Sequence, residues 1–268
     1  MSPAPAIGLG LLGLAVGVLG TLIGAGGGFM LLPVLLFLYP HDSPAVLTAI
    51  SLFVVCANAT SGSIAYARMR RIDLRAGLVF AAAGLPGTVV GAWTTRFLER
   101  RVFDPLFGVF LLLGAAVTAF RPIPPTDAGH SGQGRTLVEA DGTVHVYTPR
   151  IALGALLSAG VGFLSSLLGI GGGILHVPAM VLLLGFPAHI ATATSHFVLA
   201  ILSLTAVLVH AREGSLAPGL GRAIPLAAGA LVGAQIGARL SSVVRARWIL
   251  RTLALGLAAV GLRLLWAR

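Results

Sequence analysis

Charge is what this sequence has least of. Lysine is absent, acidic residues number eight, and charged residues make up 10% of the 268. A soluble domain carries roughly a quarter of its residues as charge, so a water-facing surface cannot be built from this chain. Cysteine is down to one, Cys56, inside an apolar run. That excludes a disulfide framework and a thiolate metal site. No aspartate or glutamate falls well inside an apolar run, which removes the usual coupling groups of cation and proton pumps.

What is present is apolar. Hydrophobic residues reach 57% and the mean hydropathy is +0.97. Runs near or above the ~18 residues that cross a bilayer follow one another almost to the end. The chain therefore reads as an all-α, polytopic integral membrane protein whose main partner is the lipid bilayer. The net charge of +10 comes from arginines in short loops and at run ends, where membrane orientation places them. It implies no nucleic-acid partner. Met1 to Leu22 is apolar without a positive leading segment and reads as a mature transmembrane segment, not a cleaved signal.

One stretch occurs twice. Gly24-Ala25-Gly26-Gly27-Gly28-Phe29-Met30-Leu31-Leu32-Pro33 returns as Gly169-Ile170-Gly171-Gly172-Gly173-Ile174-Leu175-His176-Val177-Pro178. Glycine in a helix interior costs roughly 1 kcal/mol relative to alanine, so each cluster marks a break in an otherwise helical run. Irregular backbone at membrane depth is tolerated only where protein buries it or a polar cavity adjoins it. Eleven residues, Phe29 to Tyr39, follow the first break and rise only about 16 Å as helix, half a hydrocarbon core. Each pair of pieces is either one broken crossing or a re-entrant hairpin.

The match extends past the glycines: Thr48 falls on Thr192, Ser51 on Ser195, Phe53 on Phe197 and Arg68 on Arg212. The expected architecture is two tandem homologous halves of about four transmembrane helices each, opened by a glycine-broken helix. The boundaries are 1–120, a linker at 121–150, and 151–268. Expected spans in the first half are Ala6–Leu22, Ala45–Ala67, Leu74–Thr95 and Pro105–Phe120, with Arg96 to Asp104 as a charged turn. Expected in the second are Ile151–Leu168, Ile174–Leu184, Ala188–Val209, Leu216–Ala238 and Ile249–Trp266. Ser43 is placed to cap the helix that follows it, and Thr136 to Tyr147 alternates around Asp141-Gly142 as a hairpin does. Eight whole crossings put the arginine-rich side with the termini; re-entrant breaks invert the repeats and reverse that assignment.

Candidate substrate-binding residues follow from the breaks. Gly24, Gly26, Gly27, Gly28, Gly169, Gly171, Gly172 and Gly173 let helix N-termini present amide groups to an anion. Ser51, Thr194 and Ser195 bring hydroxyls one helix further on. Asn58 is an amide within a span, where it either binds ligand or holds helices together. His176 and His196 can bind an anion when protonated or relay a proton; their first-half counterparts are Leu31 and Leu52. No metal or cofactor is indicated. Gly24 to Phe29 superficially matches a dinucleotide fingerprint, but no βαβ unit surrounds it.

These residues resemble the TauE/SafE family of sulfite exporters and related anion permeases. The resemblance rests on Gly169 to Pro178, Ala193-Thr194-Ser195, and the degenerate first copy at Gly24 to Pro33 with Ser51. It covers both halves and leaves out the linker. It implies a multi-pass protein of the cell inner membrane that moves small sulfur oxyanions or organosulfonates such as sulfite or sulfoacetate, and no enzymatic activity. The chain departs from the pattern in its long linker and in having Ile50 where the second half has Thr194. A passive anion channel is the nearest alternative, and an intramembrane serine hydrolase a distant one, since Ser195 and His196 point about 100° apart on a helix. Homo-oligomerisation is left open.

Overall fold

A backbone that water cannot reach must be satisfied internally, and helices do this within one segment. The computed structural model describes residues 3–120 and 134–241, with 255, 258–259 and 261–262 beyond them; it is mostly helical. In chain order it holds α1 (Pro3–Ile23), α2 (Gly28–Leu38), α3 (Pro44–Arg68), α4 (Leu74–Thr95) and α5 (Arg100–Phe120). The strands β1 (Arg135–Val138) and β2 (Val144–Tyr147) follow, then α6 (Ile151–Leu167), α7 (Gly173–Leu182), α8 (Ala188–Arg212) and α9 (Leu220–Leu240). Among the described residues five segments are long and apolar enough to cross a membrane: Ala4–Ile23, Pro44–Arg68, Leu74–Thr95, Ala188–Arg212 and Ala217–Leu240. The expected run Ile249–Trp266 falls almost wholly outside the described residues.

Local chemistry sets the boundaries. The Ser43 hydroxyl accepts from Val46 N at the start of α3, and the Asp73 carboxylate accepts from Ala76 N at the start of α4. Helix α5 starts earlier than expected and takes in part of the charged turn. Arg100 and Asp104 lie one helical turn apart and pair at 3.5 Å, while the Arg100 guanidinium donates to the carbonyls of Leu36, Tyr39 and Pro40. β1 and β2 pair antiparallel, Arg135 opposite Tyr147.

The hairpin marks one end of the molecule. Tyr147 donates to Asp73, just past α3, at 2.9 Å, and its ring meets that of Phe186, just before α8, at 5.2 Å. The end of α3 and the start of α8 are therefore neighbours. At the opposite end a Cβ on Gly219, past α8, would meet Ile50 in the first turns of α3. Helices α3 and α8 run antiparallel.

Two glycine-lined pairs flank them. A Cβ on Gly13 of α1 would come within 2.0 Å of Leu226 O on α9, and one on Gly229 of α9 within 2.0 Å of Gly10 O. On the other side, Gly87 and Gly91 of α4 approach Ala159 O and Phe163 O of α6 within 2.2 Å by the same measure. Small residues at helical spacing allow this backbone-to-backbone packing. Helix α1 thus packs on α9, and α4 on α6.

Candidate functional site

The glycine clusters turn the chain back on itself. After α1, Ala25 N and Gly26 N both donate to Gly20 O, and a Cβ on Gly27 would lie 2.5 Å from Cγ1 of Val16, a residue well inside α1. A helix continuing in the same direction would put residue 27 about 16 Å from residue 16. Of the two geometries open to the sequence, the fold-back is adopted. The second cluster does the same, with Ile170 N donating to Ser165 O and Gly172 lying against Ser165 and Val161.

Backbone conformation repeats position by position. Gly24, Gly26 and Gly27 have φ of 81°, 73° and 80°; Gly169, Gly171 and Gly172 have 64°, 82° and 71°. Residues with a Cβ avoid this left-handed region. Gly27 and Gly172 each precede a helix N-terminus that has no side-chain cap, so the first amides of α2 and α7 lack the usual side-chain acceptor.

The two breaks meet. A Cβ on Gly173 would come within 2.2 Å of Gly24 O, and one on Gly28 within 2.9 Å of Gly169 O. Residue 24 faces 173 and residue 28 faces 169, so the breaks lie antiparallel. Two serines tie them from outside: Ser51 donates to Gly169 O at 2.6 Å, and Ser195 donates to Gly24 O at 3.3 Å. The methyl groups of Thr48 and Thr192 pack on Gly169 and Gly24, with Val55 and Leu199 against the middle of the breaks. Thr48, Ser51 and Val55 follow helical spacing down one face of α3, as Thr192, Ser195 and Leu199 do on α8. Thr48, Ser51 and Ser195 are fully buried, and the Thr48 hydroxyl has no hydrogen-bond partner among the described residues.

A polar group adjoins the first break. Thr21 donates to Asn58 Oδ1 at 3.0 Å, and its hydroxyl lies 3.3 Å from His196 Nε2. Tyr66 donates to Thr21 O at 2.9 Å, and its ring meets His196 edge-on at 5.7 Å. Asn58 Nδ2 has no partner among the described residues. Around the second break the corresponding polar contact is His176 Nε2 with Ser158 Oγ at 2.9 Å. Among the described residues no three His, Cys, Asp or Glu side chains gather to hold a metal ion.

The sequence profile described as sulfite exporter TauE/SafE matches residues 9–264. The chain belongs to the TauE/SafE family. It is 32% identical over 263 residues to a probable membrane transporter protein, YunE, of Bacillus subtilis, covering 96% of both chains. It is 27% identical over 205 residues to the probable membrane transporter protein MJ0441 of Methanocaldococcus jannaschii, covering 75% of this chain and 70% of that one. No solved structure matches. With its apolar helices, this TauE/SafE protein is a multi-pass membrane transporter and not an enzyme.

Against that identity the expected residues divide into three groups. The eight glycines, Ser51 and Ser195 come together at the crossing of the breaks, while Asn58 and His196 stand beside the first break. His176 turns toward Ser158 on α6, and Thr194 lies at the hairpin end, where its hydroxyl accepts from Asp73 N at 3.0 Å. Thr194 follows Thr192 by about 200° around the helix, which turns it away from the break that Thr192 touches. Ser158 and His176 are within hydrogen-bond distance of each other, and His176 Nδ1 has no partner among the described residues.

Thr21 and Tyr66 were not singled out in the sequence. For Thr21 a signal existed, since a hydroxyl precedes both clusters by three residues, Thr21 and Ser166. Tyr66 had none, being one aromatic in an apolar span.

Proposed function

We propose that this transporter moves small anions outward, sulfur oxyanions or organosulfonates such as sulfite or sulfoacetate in the first place, through a site between the two breaks. The observation that carries the reading is the antiparallel meeting of two uncapped helix starts, α2 and α7, in spans that hold no carboxylate. Helix N-termini favour negative charge, and the discontinuous helices of secondary transporters use them for anionic groups. Ser51 and Ser195 hold the opposing carbonyls back, which keeps the amide ends at the front of the site.

In this reading 1–120 and 151–268 are homologous inverted repeats of about four spans each, joined by the linker 121–150. Matched glycine conformations and reciprocal serine ties support it. The hairpin end gathers Arg68, Arg70, Arg71, Arg75, Arg135, Arg150 and Arg239, and the opposite end Arg96, Arg100, Arg101, Arg212 and Arg222. Positive loops stay inside, so the hairpin end faces the cytoplasm of a cell inner membrane. Export of an anion then gains about 2.3 kcal/mol per charge per 100 mV.

Proteoliposomes loaded with sulfite or sulfoacetate test this. The expected result is saturable efflux that an inside-negative potential accelerates and that Gly171→Leu abolishes. Efflux that ignores the potential, or survives Gly171→Leu unchanged, overturns the reading. Unitary currents in a planar bilayer would favour a channel over a carrier.

A further inference from the structure

The His176 ring is left over once the crossing of the breaks is built. It is 2% exposed, and its Nε2 lies 2.9 Å from Ser158 Oγ on α6. Its Nδ1 has no partner among the described residues. Counting back 145 residues, the step from Gly169 to Gly24, gives Leu31 for His176 and Gly13 for Ser158. Leucine and glycine cannot form the pair, so it is no part of the framework that the two breaks share.

Partner and position both suit this ring to carrying a proton. A hydroxyl donates and accepts, so Ser158 can bond Nε2 of the neutral ring and of the imidazolium alike. His176 N donates to Gly172 O at 2.9 Å, which puts the residue one turn from the amide end of α7 that meets the first break. The surroundings supply nothing to offset a charge on it. Of the helices packed on α7, α6 holds no titratable side chain, α8 holds His189, His196, His210 and Arg212, and α5 holds Arg100, Arg101 and Asp104. None of them sets a charge against the ring. Charging an enclosed group without a counter-charge is strongly unfavourable. An anion at the start of α7 is that counter-charge.

We propose that His176 binds a proton together with the transported anion, so that the protein moves the two in the same direction. This rests on the anion reading above. The proton comes from water on the side where the anion binds and returns to water where the anion leaves. A divalent anion still crosses with net negative charge, so the potential still drives its export. Opposite unit charges about 8 Å apart, one to two helical turns, favour joint binding by about tenfold to a hundredfold at an effective dielectric constant of about 20. Such coupling is reciprocal: the proton tightens the anion's binding as much as the anion tightens the proton's.

Proteoliposomes loaded with sulfoacetate and a pH-sensitive dye test this, with the membrane potential clamped by potassium and valinomycin. Sulfoacetate is fully ionised at pH 7, since carboxyl groups titrate far lower, and brings no proton of its own. Wild type is expected to alkalinise the interior by one proton per anion released. His176→Leu, which copies Leu31, is expected to release the anion without alkalinisation. Its half-saturating concentration is expected to match wild type at pH 8 and to exceed it about tenfold at pH 6, because only wild type tightens as protons become available. His176→Gln, which keeps a neutral partner for Ser158, is expected to behave as His176→Leu does and carries the test where the leucine variant fails to fold. Anion release by wild type without proton movement, or proton movement that persists in both variants, overturns this proposal while the anion reading stands. A wild type that releases neither sulfoacetate nor sulfite overturns both.

Discussion

The first and second breaks share a backbone and differ in what surrounds it. Both have three left-handed glycines at matching positions, both turn the chain back, and both surrender a carbonyl to a serine from a central helix. Beside the first, Thr21, Asn58, His196 and Tyr66 form a connected polar group. Beside the second, His176 pairs with Ser158 and Thr95 donates to Leu167 O, and α3 offers Leu52 where α8 offers His196. What is common builds the crossing, and what differs is the polar set that stands beside it.

The comparison breaks first at the glycines. Alanine at Gly26 or Gly171 pays the steric cost of the left-handed region, about 1–2 kcal/mol, and meets Leu199 Cδ2 at 2.7 Å or Val55 Cγ1 at 2.6 Å. Transport is expected to fall at least tenfold in each, and equally, in efflux assays on protein shown to be monodisperse. A large effect at one and none at the other would dissolve the equivalence.

The serines come next. A buried hydrogen bond lost with its acceptor left unpaired costs about 1–3 kcal/mol. Ser51→Ala gives up a 2.6 Å bond and Ser195→Ala one of 3.3 Å, so thermal unfolding is expected to drop more in Ser51→Ala. The reverse order would mean the two ties are not equivalent in kind.

The histidines sharpen the difference between the surroundings. His196→Leu, which copies Leu52, removes a neighbour of Thr21 and Tyr66. His176→Leu, which copies Leu31, deprives only Ser158. Losing single neutral partners costs on the order of 1 kcal/mol. Half-saturating sulfite concentration is expected to rise in His196→Leu and to stay near wild type in His176→Leu.

Much of this was legible in the residues. Four glycines in five within an apolar run, twice, located both breaks; Ser43 and Asp141-Gly142 located a cap and a hairpin that the structure contains. The direction of the chain after each break was not legible, because an apolar half-helix reads the same whether it continues or returns. The side each hydroxyl faces needed the helix phase: Thr192 and Ser195 share a face, whereas Thr194 lies two residues from one and one from the other and points to Asp73. The start of α5 was hidden because Arg100 and Asp104 look like loop residues until their i,i+4 pairing is seen. Cross-packing of α1 on α9 left only a trace, the spacing of Gly229, Gly233 and Gly237.

The central claim is that the crossing of the breaks is where the anion binds. Its most direct test is maleimide labelling of Ser51→Cys and Ser195→Cys, each in a Cys56→Ser background, with and without sulfoacetate. The account predicts that sulfoacetate slows labelling at both positions to a similar degree. Labelling at neither position changing, in protein that transports sulfoacetate, would place the substrate elsewhere and contradict it.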